Sequence, residues 1–283
     1  MEKCVIKKPK IIFVDLDGTT IDLKVLRNKR ISKENLEYIE KARQAGIEVV
    51  VSTGRPPIKA TNVFLDPMKC RDNYIAWNGT VIYQDGVKIF SSAFEKDVVA
   101  AIFEEIKKYK ISVIFNSDTK NYSFTKSWLL SLGIKWTRGK AQRYDDFHND
   151  IEINKMVLWH PLKGRLFQFA NVLKEKFRGI CEIAYTGKHD TVLEITPVGC
   201  SKGEAEEKFA RGRGVDPMDC VHIGDTLNDA TCVGHVGTLI AIKNSCSTLK
   251  MIADMVSPFT NKKAGLGKTI EFYYLNNNGE KNK

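Results

Sequence analysis

The chain has 283 residues, is 43% hydrophobic and carries a formal net charge of +10, so it has room for one large or two modest domains with an ordinary core. Its seven cysteines, Cys4, Cys70, Cys181, Cys200, Cys220, Cys232 and Cys246, contain no C-x-x-C pair, which argues against a zinc module and a disulfide framework and fits reduced thiols in a cytosol. No segment nears the ~18 uninterrupted apolar residues of a membrane span. Lysines interleaved with acids, as in Glu104-Glu105-Ile106-Lys107-Lys108, read as a solvated surface with some attraction for anionic small substrates, not as a nucleic-acid face.

The first apolar run, Ile11, Ile12, Phe13 and Val14, is too short for a signal-peptide core. It ends in Asp15-Leu16-Asp17-Gly18-Thr19-Thr20, placing two carboxylates at the carboxyl end of a predicted buried strand, where an open α/β sheet does its chemistry. Gly18 lets the backbone turn sharply there. The pair suits one divalent cation, or a nucleophile beside a proton carrier.

Ser32 with Glu34 and Asn35 then opens a predicted helix carrying Leu36, Ile39 and Ala42, which stops at Gly46. A second apolar run over 47–51 ends in Ser52-Thr53-Gly54-Arg55-Pro56-Pro57. Strand, helix and strand, with a polar turn at each strand's carboxyl end, indicate a parallel βαβ unit. Between 74 and 90 short strands follow, and Asn78-Gly79 and Asp85-Gly86 read as hairpin turns.

The middle of the chain is α+β in pattern. A helix is expected over 95–109, two strands over 111–124 and a short helix over 126–133. A second round has a strand over 153–160, a helix over 163–178 and strands near 181–185 and 191–196. Trp128, Lys155, Lys188 and His189 are read first as surface or packing residues of this region. The five histidines are isolated, and none has metal-ligand spacing.

After Pro197 the βα alternation resumes. Ser201 caps a helix to about 212, a strand over 220–223 ends in Gly224-Asp225, and a further strand covers 236–242; the polar tail from 276 to 283 is expected to fray. The expected architecture is α/β: a doubly wound parallel core from 1–84 and 197–283, interrupted by an inserted α+β domain over 85–196.

In such a sheet the carboxyl ends of neighbouring strands face one crevice. Asp15 and Asp17, Thr53 and Arg55, Lys202, and the run Gly224-Asp225-Thr226-Leu227-Asn228-Asp229 would therefore meet. That inventory fits phosphoryl transfer: a carboxylate attacking a dianionic phosphate needs a divalent cation and a cationic side chain to cancel repulsion. Magnesium takes oxygen ligands, which suits carboxylates and a carbonyl.

These residues resemble motifs one to four of the haloacid dehalogenase superfamily: D-L-D-G-T at 15–19, T-G-R at 53–55, S-K-G at 201–203 and G-D-x-x-N-D at 224–229. The T-G-R-P form, Asn78-Gly79 and an insertion between motifs two and three are similar to the Cof-type phosphatases, whose cap is the type-IIB kind. The resemblance implies a magnesium-dependent phosphomonoester hydrolase of small phosphorylated metabolites, sugar phosphates among them, working through an aspartyl-phosphate in the cytoplasm. It implies Asp15 as nucleophile, and Asp17 as acid and then base. Thr53 and Lys202 would meet the phosphoryl group, while Gly54, Arg55, Asn78 and Asn228 would lie with them around the substrate. The metal group would be Asp15, the Asp17 carbonyl and Asp225, with Asn228 and Asp229 positioning the metal, its waters or Lys202.

Asn78-Gly79 also reads as a plain type I′ turn. A phosphomutase of the same fold and a catalytically idle regulator are the alternatives. A dehydrogenase is disfavoured because no G-x-G-x-x-G follows the first strand. Neither nucleic acid nor membrane is expected as a partner, and monomer and dimer both stay open.

Overall fold

The structure, a computed structural model, describes residues 7–25, 28–136, 139–186 and 191–276. Lys188, His189 and residues 277–283 lie outside the described residues. Contacts divide the chain into two compact units, Met1–Ile89 with Lys202–Lys283, and Phe90–Ser201.

In the first unit, β1 (Ile11–Val14) has four buried apolar residues in succession, as a strand covered on both faces must. A turn over 16–20 leads to the hairpin of β2 (Leu23–Val25) and β3 (Asn28–Arg30). Ser32 caps α1 (Lys33–Gln44), its side chain accepting from the Asn35 N–H. Then come β4 (Glu48–Ser52), α2 (Lys59–Leu65), β5 (Tyr74–Ala76), β6 (Val81–Gln84) and β7 (Val87–Ser91).

The second unit holds α3 (Lys96–Tyr109), β8 (Ser112–Phe115), β9 (Ser123–Phe124), α4 (Trp128–Trp136) and β10 (Ala141–Gln142). It continues with β11 (Met156–Trp159), α5 (Lys163–Lys176), β12 (Cys181–Thr186) and β13 (Val192–Pro197). The chain returns to the first unit as α6 (Lys202–Gly212), β14 (Cys220–Gly224), β15 (Thr238–Ala241), α7 (Ser247–Ile252), β16 (Met255–Val256) and α8 (Gly265–Ile270).

The first unit's eight-stranded sheet runs β16-β15-β14-β1-β4-β5-β6-β7. It is parallel from β16 to β5 and reverses at β6. Side chains alternate across it: Ile12 and Val14 join the cluster with Ile39, Ala42, Leu266 and Ile270 of α1 and α8, whereas Phe13 meets Phe209 of α6 edge to face at 5.8 Å. Helices thus cover both faces, as a doubly wound sheet requires.

The second unit's sheet, β10-β9-β8-β11-β13-β12, is antiparallel apart from the β9/β10 pair. Val99, Ile102 and Phe103 of α3 and Leu166, Phe169 and Leu173 of α5 cluster with Val113, Phe115, Met156 and Leu193. The helices therefore share one core with the sheet.

The division falls after residues 89 and 201, five residues beyond each boundary expected from sequence. β7 remains in the first sheet as its edge, and the Thr196 hydroxyl donates to the Cys200 carbonyl at 2.7 Å, tying the exit segment to β13. The expected strand at 153 starts only at Met156, because the Asn116 side chain accepts from the Asn154 and Lys155 amides and holds them in a loop. No helix among the described residues is long and apolar enough to cross a membrane.

Candidate active site

The register decides which turns meet. Val14 pairs with Ile223 on one side and Val51 on the other, so β1, β4 and β14 release the chain at one level. Asp15, the 52–55 turn and Gly224-Asp225 therefore stand side by side at the carboxyl edge.

Lys202, the first residue of α6, reaches this edge from the covering layer. Its Nζ lies 2.7 Å from Asp15 Oδ1 and 2.7 Å from Asp229 Oδ1, and the side chain is 0% exposed. A cation at a helix N-terminus opposes the dipole, and here the two carboxylates offset that cost. Burial works against a charged amine, yet Asp15 and Asp229 hold the Lys202 pKa above its ordinary value.

Asp229 is fully committed to protein donors. Its Oδ2 accepts the Asp225 and Thr226 backbone N–H groups at 2.8 and 2.9 Å, and its Oδ1 accepts Lys202 Nζ and stands 2.9 Å from His222 Nε2. Burial would raise this carboxyl, but Lys202 and His222 keep its pKa below the usual range. The close approach needs glycine at 224, where a Cβ would come within 2.2 Å of Asp229 Cγ.

Asp225 is different in kind. Its Oδ1 takes the Thr19 hydroxyl at 3.3 Å, and its carboxylate rests against Gly18, whose φ is +87° and whose added Cβ would lie 2.2 Å from Oδ2. Burial, then the Asp15 and Asp229 charges, push the Asp225 pKa up to about 8. Asp15 is raised to about 6, by burial first, against the pull of Lys202. The buried Asp15 and the half-buried Asp225, both with raised pKa values, offer carboxylate oxygens of the kind that a hard divalent cation takes. Asp15 and Asp225 can hold one, whereas the oxygens of Asp229 are already shared among four donors.

Asp17 points elsewhere. Arg55 donates to it twice, Nε to Oδ2 at 2.5 Å and Nη2 to Oδ1 at 2.9 Å, and Lys29 Nζ reaches Oδ1 at 2.6 Å. Burial raises this carboxyl, but Arg55 and then Lys29 outweigh it and bring the pKa down to about 2. Arg55 itself stacks 4.5 Å from the centre of the Phe64 ring, so the fork has a fixed base.

The Asn78-Gly79 segment is not the two-residue turn expected from sequence. Ala76 pairs with Val81, leaving a wider loop in which Trp77, Asn78 and Gly79 all have positive φ. The reason lies across the crevice: Trp77 N–H donates to the Arg55 carbonyl and Asn78 N–H to the Thr53 carbonyl, both at 3.0 Å. Thr53 is buried, and its hydroxyl accepts the Arg55 N–H at 3.2 Å. Asn228 Nδ2 donates to Asn78 Oδ1 at 3.2 Å, and Asn228 Oδ1 accepts the Thr226 hydroxyl at 2.6 Å. Every motif residue singled out in the first unit thus belongs to one connected edge.

In the second unit Lys155 is not a surface residue. It is 1% exposed, and its Nζ pairs with Glu194 Oε1 at 2.7 Å. Trp128 is exposed on α4.

Sequence reasoning missed Thr19, Lys29, Glu206 and His222. The histidine looked isolated, yet the fold brings ligand-type atoms of Glu206, His222 and Cys232 within 4.8 Å of one another, all buried. His222 Nδ1 lies 2.8 Å from Glu206 Oε1. The signal available was modest: Glu206 lies one helical turn after Lys202, on the same face. Cys232 is a neutral thiol, pushed up to about 12 by burial and then by Glu206. Burial would lower His222, but Cys232, Glu206 and Asp229 around the ring hold its pKa well above the usual histidine value.

A family model of haloacid dehalogenase-like hydrolases matches residues 12–270. The 5-amino-6-(5-phospho-D-ribitylamino)uracil phosphatase YcsE of Bacillus subtilis is 25% identical over 268 residues, covering 94% of this chain and 96% of its own. The pyridoxal phosphate phosphatase YbhA of Escherichia coli is 25% identical over 260 residues, 87% of this chain and 92% of its own. The subclass IIB sugar phosphatase BT4131 superimposes with a TM-score of 0.75 at 19% identity, over 93% of this chain and 98% of that one. The chain accordingly belongs to the haloacid dehalogenase-like hydrolases, and its fold is that of their subclass IIB phosphatases.

Proposed function

We propose that the chain is a magnesium-dependent cytoplasmic phosphatase of small phosphorylated metabolites, acting through a phosphoryl group carried on Asp15. The observation that carries this reading is the position of the Asp15 carboxylate, at a parallel strand's end, 2.7 Å from a buried lysine and beside Asp225. Magnesium bound by Asp15, Asp225 and the Asp17 carbonyl would neutralise the charge that otherwise opposes attack on a phosphate dianion.

In the first step an Asp15 oxygen bonds to phosphorus and the ester oxygen departs, taking a proton from Asp17. In the second, Asp17 accepts a proton from water as that water attacks phosphorus, and the Asp15 carboxylate is released. Lys202 stays charged throughout and offsets negative charge on Asp15 and on the phosphoryl oxygens. Thr53, with Gly54 and Arg55 of its turn, would bind those oxygens, with Asn78 and Asn228 bordering them. The pair with Arg55 and Lys29 suits Asp17 to the second step; in the first it must carry a proton, which requires the Arg55 fork to open.

The relatives named above act on a ribitylamino-uracil phosphate and on pyridoxal phosphate; both are small phosphomonoesters, and we assign this chain a substrate of that class. Residues 90–201 would act as the cap that selects it. The test is phosphate release from a generic aryl phosphate, with and without magnesium, followed by a panel of sugar, nucleotide and cofactor phosphates. Magnesium-dependent turnover lost in Asp15→Asn supports the reading; turnover that survives this substitution rejects it.

A further inference from the structure

The buried charges of the site do not stop at Lys202 and Asp229. Lys202 and Glu206, one turn apart on α6, are both 0% exposed and face β14. His222 of β14 stands between the anions, with Nδ1 2.8 Å from Glu206 Oε1 and Nε2 2.9 Å from Asp229 Oδ1. The same Asp229 oxygen accepts Lys202 Nζ at 2.7 Å, and Lys202 reaches Asp15 at 2.7 Å. Glu206, His222, Asp229, Lys202 and Asp15 thus form one continuous line from behind the sheet edge to the proposed nucleophile.

Stability does not account for the far half of that line. Taking charges out of water is costly, and well-packed apolar residues in place of a buried ion pair are commonly neutral or stabilising. Nor does the arrangement suit a resident cation, because each ring nitrogen of His222 already faces a carboxylate oxygen. What the pair supplies is direction. With two donors converging on Oδ1 and two backbone amides on Oδ2, the Asp229 carboxylate has a single orientation, and Lys202 is aimed by it.

We propose that His222, held in place by Glu206, is a positioning residue for phosphoryl transfer: its Nε2–H fixes Asp229 Oδ1, which fixes Lys202 Nζ against Asp15. This rests on Asp15 being the nucleophile. Loss of the Nε2 donor leaves Lys202 alone on Asp229 Oδ1, so the carboxylate can pivot about its amide-held Oδ2 and draw Lys202 Nζ out of line with Asp15.

The experiment measures kcat, KM and thermal midpoint for the full chain, with magnesium and an aryl phosphate. Gln places an amide nitrogen near the ring's Nε2 position and Asn places one near Nδ1, so His222→Gln keeps a donor toward Asp229 and His222→Asn does not. The double variant Glu206→Leu with His222→Leu removes the donor and both buried charges together. The expected result is a kcat about tenfold or more below wild type in the double variant, with KM unchanged and the thermal midpoint retained, since small misplacements of reacting groups act on kcat. His222→Gln should exceed His222→Asn in kcat by about fivefold or more, on the same reasoning. A folded double variant with wild-type kcat, or equal kcat for Gln and Asn, overturns the proposal. Should the double variant fail to fold, the Gln and Asn comparison decides alone. An inactive wild-type chain rejects the phosphatase reading instead, and this inference with it.

Discussion

Arg55 grips both oxygens of Asp17, at 2.5 and 2.9 Å, so the carboxyl assigned to proton transfer is held ionised, with its pKa down at about 2. Removing the guanidinium withdraws the largest force keeping that pKa low, and the pKa must rise. In Arg55→Ala the pH profile of kcat/KM for an alkyl phosphate is expected to move upward, in the same direction for the acid and base steps, because both use one carboxyl. An unmoved profile would separate Asp17 from the proton transfers that limit the rate.

The two aspartates should fail differently. Asp15→Asn removes the attacking oxygen and should lower kcat by about a thousandfold or more, with no phosphorylated protein detected by intact mass. Asp17→Asn keeps the nucleophile but loses the group that takes the proton from water. With an aryl phosphate, whose leaving oxygen departs unaided, phosphorylated Asp15 should accumulate. Equal phosphorylation of the two variants would contradict the assignment.

Metal and pH should act together on stability. Asp15 and Asp225 are raised in the fold to about 6 and about 8, from an ordinary 3.8. Between pH ~4 and ~8 the metal-free folded chain therefore binds more protons than the unfolded chain, and its stability should fall as pH rises through that window. Magnesium replaces those protons as the counter-charge. Its addition should flatten the slope and raise the thermal midpoint most at the alkaline end, as scanning calorimetry would show; a slope that magnesium leaves untouched would place the cation elsewhere.

Lys202→Met retains bulk but leaves Asp15 and Asp229 buried without their shared cation. Breaking a buried pair from one side typically costs about 3–5 kcal/mol, so chemical denaturation should show a loss of that order along with near-complete loss of turnover. Magnesium should recover part of the stability and little of the rate. A variant as stable as wild type would mean that the two carboxylates take up protons at no cost.

Gly18→Ala tests the packing of Asp225 on the first motif's backbone. An added Cβ would lie 2.2 Å from Asp225 Oδ2, at a φ of +87° that side chains rarely adopt. The carboxylate must swing away, and the magnesium concentration giving half-maximal rate should rise by about tenfold or more. A small increase would show that Asp225 relocates without loss of its grip on the metal.

Much of this molecule was legible in the sequence for local reasons. A short unbroken apolar run such as Ile11 to Val14, bounded by polar turns, fits a strand buried on both faces, Ser32 and Gly46 punctuate a helix by capping chemistry, and the ordered motifs announce the carboxyl edge of the sheet. Asn78-Gly79 was misread because a turn rule treats a hairpin as closed on itself, whereas Trp77 and Asn78 open theirs to bond the 53–55 turn. For Lys155 the local pattern leaves surface and packing roles both open, and it is the pairing with Glu194 of the neighbouring strand that decides for a buried one.

By itself the sequence determined which residue types stand at each strand end and in what order, since strand, turn and cap preferences act over a few residues. Only the tertiary structure decided how they share charge. The parallel register set Asp15 beside Asp225, the docking of α6 aimed Lys202 at two carboxylates, and the same packing put Glu206 against His222. The Lys202–Asp15 pairing alone spans 187 positions, and the strength of such pairings depends on burial and on distances of a few ångströms, which no local pattern encodes.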